Sequence, residues 1–136
     1  MKTLTTIAVG FDGSPDAKAA VRWAFNLAAQ VDANVVVVHA VGMLGRFEDR
    51  GAAKQLEESV RQLSDDCGLA SSRVRLHVAN GDACSVLVRV ADDPISADLL
   101  VVGSRGQGKH PGLLLGSTSL ELAEHTTVPL VIVPSL

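Results

Sequence analysis

Four consecutive valines, Val35, Val36, Val37 and Val38, constrain this chain more than any other stretch. A strand with one face in water alternates apolar and polar residues, so an unbroken β-branched run belongs to a strand buried on both faces of a parallel sheet. Parallel strands need long crossovers, usually helices. The flanking sequence supplies them. Residues 4–9 read as a strand, and Gly10, Phe11, Asp12 and Gly13 as the turn after it. Ser14 as N-cap with Pro15 at the first helical position then opens a helix. Its Ala17, Ala20, Val21, Ala24, Leu27, Ala28 and Val31 share one face at helical spacing.

The alternation continues to the end. His39, Ala40 and Val41 close the valine strand, and residues 42–51 read as a surface loop. Ala52, Ala53, Leu56, Val60 and Leu63 predict a second, more polar helix ending near Cys67 and Gly68. In residues 74–79, Val74, Leu76 and Val78 alternate with Arg75 and His77, the pattern of a half-buried strand at a sheet edge. After Asn80, Gly81 and Asp82 turn the chain, a third helical face runs through Ala83, Val86, Leu87, Val90 and Ala91 toward Asp93 and Pro94. Residues 99–102 form another unbroken apolar strand, followed by a long glycine-containing loop, a helix from about Ser117 to His125 and a last strand at 128–133. The fold class is α/β, a single domain over residues 1–136 built on a parallel sheet with right-handed crossovers.

Composition narrows the function. With 136 residues, of which 47% are hydrophobic, the chain can bury an ordinary core. Its net charge of −3 lacks the positive excess that phosphate backbones demand, and aromatic residues for base stacking are few, so nucleic acid is not the expected partner. Cys67 and Cys84 stand apart from each other and from histidines, which reads as two reduced thiols. No apolar run approaches a membrane span and no signal-peptide pattern opens the sequence, so a cytoplasmic protein with no membrane partner is expected.

Against that acidic background, the segment after residue 102 has the opposite sign. Gly103, Gly106, Gly108, Gly112 and Gly116 are interspersed with Arg105, Lys109 and His110, and no carboxylate occurs between Asp98 and Glu121. Glycines admit close approach to the backbone, and helix N-termini favour anions because their first amides lack partners. The segment reads as an anion cradle. It is not a P-loop: Gly103 to Lys109 meets the first part of that pattern, but His110 stands where the metal-binding hydroxyl belongs and Pro111 and Gly112 follow. Nor is it the dinucleotide fingerprint, since Pro111 occupies the third glycine position after Gly106 and Gly108.

The spacing that fits throughout is Gly103-x2-Gly106-x9-Gly116-Ser117, with a strand before it and a helix after it. This resembles the ATP-binding signature of the universal stress protein family. The similarity extends over nearly the whole chain, through residues 7–14, 37–41, 81–83, 97–106 and 128–133. The resemblance implies an open, Rossmann-like five-stranded parallel sheet of order 3-2-1-4-5 with helices on both faces. It also implies a homodimer paired through the C-terminal strand 128–133, where Pro129 is compatible with an edge.

Carried over by position, the resemblance assigns Asp12 and Val41 to the adenine and ribose side of an adenine nucleotide site and includes Gly10 in that site. Gly103, Arg105 and Gly106 line the phosphate side, and Gly116, Ser117, Thr118 and Ser119 donate amides and hydroxyls to phosphate. Thr118 departs from the family, which usually has an apolar residue there. The implied ligand is ATP, with magnesium or manganese carried on its phosphates.

Simpler readings compete at individual positions. Asp12 also suits a turn or cap, and Thr118 with Glu121 has the spacing of a capping box. Arg105 and Lys109 also suit ordinary solvated charges. His39, His77 and His125 read as structural, the last at a helix C-terminus. No nucleophile elbow or zinc-protease motif is present. The resulting expectation is a nucleotide-dependent regulatory module of the stress response, with a 12-residue loop at 104–115 that nucleotide orders. A slow ATPase or nucleotidyl transferase and a ligand-free dimeric interaction module are the alternatives.

Overall fold

The computed structural model describes residues 3–42, 50–104 and 115–134. Strand β1 (Thr6–Gly10) leads through helix α1 (Pro15–Val31) to β2 (Asn34–Val41). Helix α2 (Arg50–Asp66) and one 3-10 turn (Ser71–Arg73) precede β3 (Val74–Asn80). Then follow α3 (Ala83–Arg89), β4 (Leu99–Gly103), α4 (Ser117–His125) and β5 (Leu130–Val133). The five strands form one sheet of order β3-β2-β1-β4-β5. Every neighbouring pair is parallel.

The valine run is buried on both faces, as its composition demands. Val35 and Val37 join a core with Ile7, Val9, Val21, Phe25, Val60, Leu63 and Val101, beneath α1 and α2. Val36 and Val38 join a second core with Ala8, Val86, Leu87, Leu100, Val102 and Leu122, beneath α3 and α4. Period-two alternation therefore divides each strand between two helical layers. Strand β3 is only partly buried along its length, consistent with its place at the edge.

Helix starts follow local chemistry. Ser14 is extended and its hydroxyl accepts the Ala17 amide at 3.2 Å, with Pro15 next in line. Asp82 caps α3 by accepting the Ser85 amide at 3.0 Å and the Ser85 hydroxyl at 2.8 Å. At the far end of α1, Asp32 adopts a left-handed conformation, and Arg73 donates to its carboxylate at 2.6 Å and to its carbonyl at 2.7 Å.

Some expected boundaries shift. Strand β1 starts at Thr6 and α3 ends at Arg89. Strand β5 starts at Leu130, because Pro129 has no amide for the ladder. The loop expected at 42–51 falls mostly on residues outside the described ones, and Arg50 already belongs to α2. The capping box expected from Thr118 and Glu121 does not form. Gly116 is the N-cap of α4 with no side-chain capping bond, which leaves Thr118 inside the first turn.

Candidate functional site at the carboxyl edge of the sheet

In an open parallel sheet with this strand order, β1 and β4 are adjacent in space but leave the sheet toward opposite helical layers, creating a crevice at their carboxyl ends. Gly10, Asp12, Val41 and Gly103 all lie at that edge. Strand β1 leads into α1 on one face, whereas β4 leads toward α4 on the other.

Two contacts attach the start of α4 to the end of β4. The Gly116 amide donates to the Ser104 carbonyl at 2.6 Å, and the Ser119 hydroxyl donates to the Gly103 carbonyl at 3.0 Å. Leu122, fully buried one turn later, anchors the helix from below, a burial worth about 1.5–3 kcal/mol. The first backbone bond of α4 runs from the Leu120 amide to the Gly116 carbonyl. The amides of Ser117, Thr118 and Ser119 therefore precede the helical ladder and present the positive end of the helix dipole beside β4.

The assigned residues that are described each have a definite place. Ser117 is exposed, Thr118 half-buried and Ser119 buried, with the Ser119 hydroxyl proton directed at Gly103. The Gly116 amide is used by Ser104. Asp12 is half-buried, and one of its carboxylate oxygens accepts the Ser14 amide at 2.9 Å, forming an Asx turn. The Val41 side chain is buried, and its carbonyl accepts the Gly81 amide at 2.9 Å. Arg105, Gly106, Lys109 and His110 lie outside the described residues.

Gly10 and Gly103 also have packing reasons to be glycine. A Cβ on Gly10 would lie 3.2 Å from a Leu87 methyl and 3.4 Å from Val102. On Gly103 it would sit 2.8 Å from the Asp16 carbonyl oxygen, closer than real Cβ contacts occur, so α1 packs directly on this strand end.

Two residues at this edge escaped the sequence reading. Asp16 is buried in the first turn of α1, and its Oδ2 has no hydrogen-bond partner among the described residues. An acidic residue in a first helical turn is fully explained by the dipole, so nothing in the sequence marks it. His39 is half-buried at the end of β2, with Nδ1 2.8 Å from the Phe11 carbonyl. Within a strand pattern it reads simply as a strand histidine. By contrast, His125 has the expected structural place, its Nδ1 2.8 Å from the Glu121 carbonyl in the last turn of α4.

Charge and thiol chemistry beyond the assigned residues are conventional. The Ser85 amide and hydroxyl hold the Asp82 carboxyl below its ordinary value. Burial pushes both thiols up, at Cys67 and at Cys84. Both cysteines are free. Among the described residues no group of three or more His, Cys, Asp or Glu could hold a metal ion, and no helix is long and apolar enough to cross a membrane.

Known proteins resemble this chain in sequence and in fold. A universal stress protein of Mycobacterium tuberculosis H37Rv is 32% identical over 143 residues, covering 93% of this chain and 46% of the relative. One of Mycobacterium bovis is 31% identical over 134 residues, covering 93% of this chain and 44% of the relative. The chain thus spans about half the length of these curated relatives. Among solved structures, a universal stress protein in complex with cAMP superimposes with a TM-score of 0.76 at 28% identity, covering 97% of this chain and 98% of that one. The Archaeoglobus fulgidus protein in complex with dAMP has a TM-score of 0.73 at 20% identity over 96% of this chain and 98% of that one, a likeness of fold. The sequence model of the universal stress protein family matches residues 3–134, which include every described strand and helix, and the chain belongs to that family.

Proposed function

We propose that this chain binds an adenine nucleotide, ATP in the first instance, at the carboxyl ends of β1, β2 and β4. The observation that carries the reading is the trio of α4 amides, at Ser117, Thr118 and Ser119, held beside β4 by the bonds from Gly116 to Ser104 and from Ser119 to Gly103. Oriented amides at a helix N-terminus suit phosphate oxygens. Arg105, Gly106 and Lys109 in the intervening sequence add positive charge and a residue without a side chain, while Gly10, Asp12 and Val41 border the nucleoside side. The neighbour solved with cAMP supports an adenine ligand for this architecture.

The fit to ATP is one of donors without a metal cage. The α4 start offers amides and hydroxyls, and no cluster of metal-ligating side chains stands among the described residues. A magnesium or manganese ion accompanying ATP is therefore assigned to the phosphates themselves. Efficient hydrolysis needs a positioned base or water-orienting group, and Asp12 is the one acidic candidate assigned to the site. The reading is accordingly a cytoplasmic regulatory domain of the stress response, spanning residues 1–136, in which hydrolysis is at most slow. A homodimer paired through β5 accompanies it, since Leu130, Val131, Ile132 and Val133 are all only half-buried at the sheet edge.

Calorimetric titration of nucleotide-stripped protein with ATP, AMP, cAMP and GTP, with and without magnesium, tests the reading. ATP is expected to bind with micromolar affinity, about 8 kcal/mol. Gly116→Ala, which adds a methyl where a phosphate would approach, is expected to weaken it. Absence of binding by every nucleotide sinks the proposal and leaves a ligand-free dimeric module. Multiple-turnover hydrolysis that Asp12→Asn abolishes without loss of binding makes the protein an enzyme instead. A monomer at the highest attainable concentration, measured by sedimentation, removes the dimer.

A further inference from the structure

We propose that His39 is a positioning residue that holds the turn between β1 and α1 in the conformation presenting Asp12 at the sheet edge. The inference rests on the nucleotide reading above for its functional consequence, but its structural half stands separately.

Phe11 is the residue at which the chain leaves the sheet, and both ends of its backbone are held by β2. Its amide donates to the Val38 carbonyl at 2.8 Å, which extends the pairing of β1 with β2 one residue beyond Gly10 opposite Val38. Its carbonyl lies 2.8 Å from His39 Nδ1. A carbonyl only accepts, so Nδ1 carries the hydrogen and the imidazole is the donor. Consecutive residues of one strand, a main-chain carbonyl and a side chain, thus grip one residue of the other.

The consequence falls on Asp12. The Phe11 carbonyl belongs to the peptide unit that joins Phe11 to Asp12, so the His39 bond sets the plane from which the Asp12 side chain departs. That side chain then accepts the Ser14 amide at 2.9 Å, and Ser14 in turn caps α1 through the Ala17 amide at 3.2 Å. A side chain on β2 is in this way connected, through Phe11 and Asp12, to the start of α1. Gly13, with φ +83°, sits inside the same turn and adds the one left-handed step it contains. The Phe11 side chain, only 4% exposed, is buried in the core beneath α1, so the turn pivots about a fixed ring and the carbonyl needs its own restraint.

The test compares His39→Ala, His39→Asn and the native chain. An asparagine amide can donate at nearly the position of Nδ1, whereas alanine cannot donate at all. In His39→Ala, hydrogen exchange at the amides of Asp12, Gly13 and Ser14 is expected to accelerate while that of β4 and β5 stays as in the native chain. ATP affinity measured by calorimetry is expected to fall about five- to tenfold, the equivalent of one neutral hydrogen bond. His39→Asn is expected to restore both. Native exchange and native affinity in His39→Ala overturn the proposal, as does uniform acceleration across the sheet that asparagine fails to correct. If the native chain binds no nucleotide, the function reading falls, and the exchange pattern alone then decides whether His39 holds the turn.

Discussion

The amide of Gly116 donates to the carbonyl of Ser104 at 2.6 Å, so the chain leaves the end of β4 and comes back to the same point to begin α4. The Ser119 hydroxyl reinforces that return by donating to the Gly103 carbonyl. The pairing turns a helix N-terminus into a fixed feature of the sheet edge. It also separates the residues that seat the start of α4 from those exposed beside it, and several consequences are measurable.

Ser117→Ala and Ser119→Ala are expected to differ in kind. Ser119 is 3% exposed and its hydroxyl supports the Gly103 carbonyl, so Ser119→Ala is expected to lower unfolding stability by about 1 kcal/mol. Ser117 is exposed, and its loss should leave stability within about 0.5 kcal/mol while weakening ATP binding. Urea unfolding and calorimetry on the two variants separate the roles, and equal stability losses would contradict the assignment.

Gly103→Ala places a methyl 2.8 Å from the Asp16 carbonyl oxygen, a rigid main-chain atom. Neither partner is a flexible side chain, so α1 must shift. A loss of about 1–3 kcal/mol is expected from overpacking. Gly68→Ala is a useful contrast: its Cβ meets nothing within 4 Å, but φ of +70° makes the cost a backbone one. A native-like urea midpoint for Gly103→Ala would show that α1 is not seated on β4 in solution.

Asp98 should matter to stability and not to ligand binding. Its Oδ2 accepts the amides of Thr5 and Thr6, each at 3.0 Å, at the amino end of β1 and therefore at the edge opposite the site. Asp98→Ala is expected to cost about 1–3 kcal/mol in urea unfolding, with nucleotide affinity of the folded protein unchanged. Selective loss of nucleotide affinity would place this residue in the site.

Asp82 makes the acid limb of stability partly its own. Its carboxyl is held below the ordinary value by the Ser85 amide first and the Ser85 hydroxyl second. A depressed folded pKa means that the contribution is present above the unfolded value, near pH 4, and is lost as pH falls through the folded one. Asp82→Asn keeps a capping oxygen without the titration. It should show a smaller drop in stability than the native chain as pH falls below the ordinary carboxylate value, and an unchanged drop would assign the acid limb elsewhere.

Much of the architecture was legible from local pattern. Val35 to Val38 announced a strand buried on both faces, and the structure divides those residues between the two cores. Ser14 with Pro15 marked the start of α1, and the alternation in residues 74–79 marked an edge. Periodicity and capping act over a few residues, so a linear sequence displays them. The sheet order came from family resemblance, because no periodicity states which strands become neighbours. The α4 cap was misread for a related reason. Thr118 and Glu121 have the spacing of a capping box, but the return of Gly116 to Ser104 starts the helix earlier.

The sequence by itself therefore determined the βα alternation, the buried central strand and the concentration of glycine and positive charge after residue 102. Only the tertiary structure decided that Gly103 bears on Asp16, that Asp16 is buried, that Ser119 serves Gly103, and that His39 meets the Phe11 carbonyl. The physical reason is range. Strand and helix propensities come from neighbours in the chain, whereas each of those contacts joins residues brought together by strand pairing and helix packing, and their donors and acceptors meet only once the sheet has set the distance between them.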